Sequence, residues 1–165
     1  MAEFHQKYTI VQLLEDMAEG TEYASTSWPL HVTIADTFLI DLPTDVLLGQ
    51  LEPMIVGQPA VQCVVSDDAY FGPSEEMQVT TLTMNPELVA LHNNVVRFLE
   101  AAGATFDDPQ FTHSGFRAHA TVQSRTRLHK GDTIECTALS VIDMFPNEDP
   151  YKRKILKTFK LLTEL

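Results

Sequence analysis

His31-Val32-Thr33-Ile34 returns later in the chain as His119-Ala120-Thr121-Val122, and both tetrapeptides sit inside apolar stretches. An extended strand turns successive side chains to opposite faces, so His31 and Thr33 share one face and Val32 and Ile34 the other. The second copy repeats this, with His119 and Thr121 on one side and Ala120 and Val122 behind them. Each copy thus places an imidazole and a hydroxyl roughly 7 Å apart along a strand whose other face is anchored in a core. With six histidines and 44% hydrophobic residues, a shuffled chain supplies only ~0.1 such tetrapeptide with apolar residues at both variable positions. The pair reads as one site built from two strands. The competing reading is two unrelated half-buried strands, each with a polar face.

The surrounding chain organises into alternating strands and helices. Residues 8–14 are rich in β-branched and aliphatic side chains and read as a first strand; residues 19–27 are a polar loop closed by Trp28-Pro29. The first motif strand runs over about residues 30–40. A helix starts at Pro43-Thr44, carries an apolar stripe of Val46, Leu47 and Leu51, and is expected to stop at Pro53. Residues 60–65 and 77–84 read as two antiparallel strands around the turn material Asp67-Asp68 and Gly72-Pro73-Ser74. The best-defined helix has Asn85 as N-cap, Pro86 in its first position, a stripe of Leu88, Leu91, Val95, Phe98, Leu99 and Ala102, and Gly103 at its end. Loops at Asp107-Asp108-Pro109 and His113-Ser114-Gly115 lead to the second motif strand over residues 116–123, with a turn at Lys130-Gly131-Asp132. Strands over 133–145 and 155–162 follow. This order predicts an α+β fold with antiparallel neighbours, the two motifs in comparable places relative to their helices.

Length and charge narrow the function. A chain of 165 residues is long enough for one domain, or two small lobes sharing a cleft, without staples. Cys63 and Cys136 form no C-x-x-C and read as buried free thiols. No signal-peptide pattern and no membrane-length apolar run is visible, so a cytoplasmic, soluble monomer is expected. Net charge is -12, which disfavours broad binding of long nucleic acid, since phosphate neutralisation needs clustered Lys and Arg. Residues 1–96 hold one base against fourteen acids, whereas residues 97–165 hold ten bases against nine acids. Cations that could meet a small anionic ligand are therefore C-terminal: Arg117, Arg125, Arg127, Lys130 and the stretch from Lys152 to Lys160.

With these residues in view, the chain resembles the two-histidine (2H) phosphoesterases, the superfamily of the 2'-5' RNA ligases and cyclic nucleotide phosphodiesterases, whose signature is a pair of His-x-Thr/Ser-x motifs. The tail is also similar, in Leu139-Ser140-Val141, then Tyr151, then Ile155-Leu156. The resemblance implies two pseudo-symmetric lobes over residues 1–165, each an antiparallel sheet backed by helices, with the motifs facing across a central cleft. It implies a metal-independent phosphodiesterase that opens a 2',3'-cyclic phosphate on a nucleotide or short RNA end. One of His31 and His119 would take a proton from water and the other give one to the leaving ribose oxygen, roles suited to a pKa near neutrality. Thr33 and Thr121 would donate to the phosphate oxygens; Arg125, Arg117, Lys130 and Tyr151 are the candidate substrate contacts. Run backwards, the same step is a 2'-5' ligation. A non-catalytic nucleotide- or phosphate-binding module on the same fold is the other alternative.

Other chemistry finds less support. The acid pairs Asp67-Asp68, Glu75-Glu76, Asp107-Asp108 and Glu148-Asp149 point apart in turn-like sequence and read as solvated. Neither H-x-H, H-E-x-x-H nor a cysteine cluster supplies a third ligand, so neither metal nor cofactor is expected. His92 reads as a helix-flank residue, His113 as a solvated loop histidine, His5 and His129 as surface residues, and Trp28 and Phe116 as core or lip residues.

Overall fold

The computed structural model describes residues 6–72, 74–123 and 126–163. The chain runs β1 (Lys7–Leu13), β2 (Glu22–Ala24), β3 (His31–Leu39), α1 (Thr44–Val56), β4 (Val61–Phe71), β5 (Met77–Leu82), α2 (Pro86–Ala101), β6 (Thr105–Phe106), β7 (His119–Thr121), β8 (Thr133–Cys136), β9 (Ala138–Asp143) and β10 (Lys152–Lys160). The strands form two antiparallel sheets, one of order β2-β10-β9-β1-β3-β6 and one of order β7-β5-β4-β8. The fold is α+β, with one motif in each sheet: β3 lies inside the larger, and β7 is an edge of the smaller.

Alternation along the motif strands dictates where the core sits. Val32 and Ile34 are fully buried, as is Ala120, while His31, Thr33, His119 and Thr121 are half-buried. The inward residues join one apolar cluster filled by Leu47, Leu51 and Ile55 of α1 and by Leu88, Leu91, Val95 and Leu99 of α2. A second, smaller cluster of Val11, Ile142 and Ile155 lies beneath Leu13, Met17, Tyr23, Trp28 and Met144. Its register partners place it on the motif side of the larger sheet, since Val11 pairs with Thr33 across β1 and β3. The polar motif face of that sheet is therefore backed locally by its own apolar floor.

Several boundaries differ from the sequence reading. Pro53 lies inside α1, which continues to Val56 because Ile55 is fully buried and holds the last turn down. Asp67 and Asp68 are inside β4, beyond a register shift between Val65 and Asp67, and the turn comes only after Phe71. The expected strand over 133–145 is split at Thr137 into β8 and β9, which belong to different sheets. At that crossing the Gln12 side-chain carbonyl accepts the N–H groups of Thr137 and Ala138, at 2.7 and 2.9 Å. Short strands β2 and β6, each on an edge, lie where the sequence reads as loop. Asn85 caps α2 as expected, accepting the Leu88 N–H at 2.7 Å, and Gly103 follows its end at φ +98°.

Candidate active site

Both motif histidines are oriented by the same local device. The Nδ1–H of His31 donates to the Pro29 carbonyl at 2.8 Å, and that of His119 to the Arg117 carbonyl at 2.7 Å. In each case the partner lies two residues upstream, so the ring folds back on its own strand entry and its Nε2 is left to face outward. The entry to β3 is secured in turn: Leu30 donates its N–H to the Glu15 carboxylate, and Leu14 donates to the Leu30 carbonyl at 2.8 Å.

An aromatic ring packs against each imidazole, and a guanidinium packs on each aromatic ring. Trp28 lies 4.7 Å from His31 between ring centroids, tilted by 35°, with Arg153 5.9 Å above its centroid. Phe71 meets His119 edge-on at 4.8 Å, with Arg117 4.6 Å above it. The two halves of the site are thus built alike, as His31-Trp28-Arg153 and His119-Phe71-Arg117. Carbonyl and ring together fix imidazole orientation, leaving little rotamer entropy to lose when a substrate arrives.

Strands β3 and β7 approach within 8 Å between Cα atoms although they belong to different sheets. The rings are near enough to interact electrostatically, His119 opposing protonation of His31. Burial is the main influence on both, pushing each imidazole below its ordinary value, while the carbonyl bonds pull the other way. Both rings are therefore neutral near pH 7, each with an Nε2 lone pair able to accept a proton. Among the described residues, Thr121 Oγ1 makes a long contact, 3.8 Å, to the Met77 sulfur.

The remaining candidates separate. Arg117 belongs to the site through its carbonyl and its stack on Phe71. Lys130 is held by Asp67 at 3.3 Å, beside an Arg127–Asp68 pair at 2.6 Å, around a surface depression of about 380 Å³. Tyr151 is 75% exposed at the entry to β10, where its N–H donates to Asp149. Arg125, like His5 and Pro73, lies outside the described residues. His92 is not a flank residue but a buried connector. Its Nδ1–H donates to the Ile34 carbonyl at 2.7 Å, its Nε2 accepts the His113 N–H at 3.0 Å, and its ring stacks on Phe116 at 3.9 Å. His113 itself faces outward, 2.9 Å from Glu100. Among the described residues, no group of three His, Cys, Asp or Glu side chains is placed to hold a metal ion, and no helix is long and apolar enough to cross a membrane.

Two antiparallel sheets that each carry a His-x-Thr strand, with those two strands brought close together, make the α+β arrangement of a two-histidine phosphoesterase. Residues 3–144 match the model of the 2'-5' RNA ligase superfamily, and the chain belongs to that superfamily. Solved structures with the same fold include E. coli LigT complexed with 3'-AMP, at TM-score 0.60 and 13% identity, covering 96% of this chain and 99% of that one. LigT complexed with NADP+ aligns at TM-score 0.58 and 16% identity, over 99% and 100% of the two chains. TT0787 of Thermus thermophilus aligns at TM-score 0.56 and 13% identity, over 97% and 100%. No curated protein sequence matches the chain.

Proposed function

We propose that the protein is a metal-independent phosphodiesterase that opens a 2',3'-cyclic or related cyclic phosphate on a nucleotide or short RNA end. The observation that carries this reading is the shared lock on the two histidines: each Nδ1 is committed to a carbonyl, at 2.8 and 2.7 Å. Each Nε2 is thereby free for proton transfer. Ring opening needs one base to deprotonate the attacking water and one acid to protonate the departing ribose oxygen. Both rings are neutral at rest near pH 7, and the fraction of molecules in which the pair holds one proton has both groups at once, a neutral imidazole as base and an imidazolium as acid. The Thr33 and Thr121 hydroxyls, one residue beyond the apolar neighbour of each histidine, donate to the non-bridging phosphate oxygens as charge builds there. Arg117 supplies positive charge on the same side as His119.

Several features favour a small substrate. Four of the described cations are already matched by carboxylates, Lys7 by Asp107, Arg127 by Asp68, Lys130 by Asp67 and Lys157 by Glu19. With a net charge of -12, the protein as a whole offers a long polyanion little attraction. The ligands of the LigT structures, 3'-AMP and NADP+, are small nucleotides of the kind proposed here. We take residues 1–165 as one bilobal unit, because strands from early and late in the chain complete one sheet.

The deciding experiment incubates the pure protein in EDTA with 2',3'-cyclic nucleotides beside His31→Ala and His119→Ala. Ring opening by the parent is expected, with each variant down about 10²–10⁴-fold. Equal turnover in all three would overturn the assignment. Thermal stabilisation by the nucleotide without product would instead indicate the non-catalytic module. A parallel arm offering 2',3'-cyclic phosphate and 5'-hydroxyl RNA ends reads the ligation direction.

A further inference from the structure

A carbonyl that fixes a motif histidine must itself be held, and the two carbonyls are held differently. Pro29, which serves His31, precedes Leu30, and Leu30 is bound by Glu15 and by Leu14. Arg117, which serves His119, lies between Phe116 and Ala118. On one side the Ala118 carbonyl accepts the Leu82 N–H at 2.9 Å, which joins it to β5 of the smaller sheet. On the other side Phe116 is buried, its ring flat against His92 at 3.9 Å between centroids and 3° from parallel. The turn ahead of it, His113–Gly115, is closed by the Phe116 N–H donating to the His113 carbonyl at 3.1 Å. The His113 N–H donates to His92 Nε2 at 3.0 Å, so His92 holds this turn at both ends. Its other nitrogen reaches the first motif strand, where Nδ1–H donates at 2.7 Å to the carbonyl of Ile34, one residue past Thr33.

We propose that His92 is a positioning residue for His119: it braces Phe116 and the turn before it against the first motif strand, and so holds in place the Arg117 carbonyl that fixes the second motif imidazole. Strands β3 and β7 belong to different sheets, and a backbone ladder sets spacing only within a sheet. A single imidazole with one hydrogen bond to each side is a short, directional link between them, because its donor and its acceptor are fixed in one rigid ring. Both partners are backbone groups, of Ile34 and of His113, so the link acts on the path of the chain and not on a side chain that can rotate away. The ring is 1% exposed, which keeps water from competing for either bond. Stacking on Phe116 then fixes the position of the residue next to Arg117. The benefit to catalysis rests on the two-histidine reading, in which a displacement of about 1 Å at a reacting group costs about 10²-fold in rate. The brace on the His119 lock does not depend on that reading.

The test reads the tautomer of each histidine by ¹H–¹⁵N NMR above about pH 7.5, where the rings are neutral. In the parent, His31 and His119 are both expected as the Nδ1–H form, since each Nδ1 donates to a carbonyl. His92→Asn keeps a donor near Nδ1 for the Ile34 carbonyl but stops short of His113 and has no ring to stack. Phe116→Leu removes the stack and leaves both hydrogen bonds of His92. His92→Gln carries an amide oxygen out toward the His113 N–H. His119 is expected to lose its pure Nδ1–H signature in His92→Asn, to lose it in smaller part in Phe116→Leu, and to keep it in His92→Gln. His31, whose carbonyl is held from β1, is expected to stay in the Nδ1–H form throughout. General loosening of the fold would release both histidines together. An unchanged His119 in folded His92→Asn and Phe116→Leu, release of His31 alongside His119, or a His92→Gln variant as released as His92→Asn overturns the proposal. If His92→Asn does not fold, Phe116→Leu against His92→Gln makes the same comparison. The measurement needs no turnover: a parent that fails to open a cyclic phosphate would end the phosphodiesterase assignment and leave the result on His92 standing.

Discussion

At the residue scale, the two histidines were legible because their information is local. A residue, its neighbour but one and the strand between them fix which side chains share a face, and the structure keeps that arrangement at both motifs. The threonines carry a direct expectation. Replacing Thr33 or Thr121 by valine keeps shape and burial but removes the hydroxyl proposed to donate to the phosphate, and on that proposal kcat/KM for a 2',3'-cyclic nucleotide should fall about 10²-fold with little change in stability. Steady-state kinetics beside a thermal melt checks this; a valine variant of normal activity would remove that threonine from the chemistry. The groups that complete the site were not legible in the same way. Phe71 reaches His119 only because β4 extends past its register shift. No window of sequence encodes a register shift, because a shift belongs to two strands at once. Trp28, three residues before His31, was visible as a core or lip residue but not as the ring packed against the histidine.

Among elements, α2 shows how a helix is tied to the motif strand it supports. Its capping and apolar stripe follow from Asn85, Pro86 and the leucine spacing, all readable in one stretch. Its polar buried residue is not, since His92 has meaning only when Ile34 of β3 and the turn His113–Gly115 are brought to it. The ring joins the core side of the first motif strand to the segment that leads into the second. Replacing His92 by alanine strands a carbonyl and an N–H inside the protein and removes a ring stacked 3.9 Å from Phe116. The expected loss is about 2–4 kcal/mol, read as a lower urea midpoint. A variant as stable as the parent would show that water takes over both bonds. The same turn has no room for a side chain at Gly115, where a Cβ would overlap the Gln110 carbonyl oxygen, so its path toward Arg117 and His119 is set by glycine's lack of bulk.

For the whole molecule, burial of three imidazoles sets how the fold responds to acid. His31, His92 and His119 all lie below their ordinary pKa, in each case chiefly through burial. In such a group the unfolded chain binds protons first as pH falls, so the stability is complete above about 6.5 and is lost on acidification below it. His92 adds a specific reason, because its Nε2 must stay unprotonated to accept the His113 N–H. Asp36 and Asp143 are raised by burial and act with the opposite sign, contributing at low pH and losing that contribution as pH rises through their folded values. Between about pH 7.5 and 5.5 the histidines dominate, and the melting temperature is expected to drop across that interval. A flat profile in differential scanning calorimetry would show that the rings titrate alike in both states. The class of fold was legible from the alternation of strands and helices, but the sheet to which each strand belongs was not: the step from one sheet to the other at Thr137 leaves no gap in the apolar pattern that precedes β9.

That step has a consequence for how the protein comes off the ribosome. β1 lies between β3 and β9, and β9 with β10 is synthesised only after all four strands of the smaller sheet. A nascent chain can therefore close β7-β5-β4-β8 while β1 still has one edge bare, and the Gln12 side chain waits for backbone N–H groups 125 and 126 residues away. The lobe that is begun first is finished last. During translation its open edge is the segment most in need of shielding from other chains, and the first motif histidine gains its finished surroundings only when the closing strands arrive.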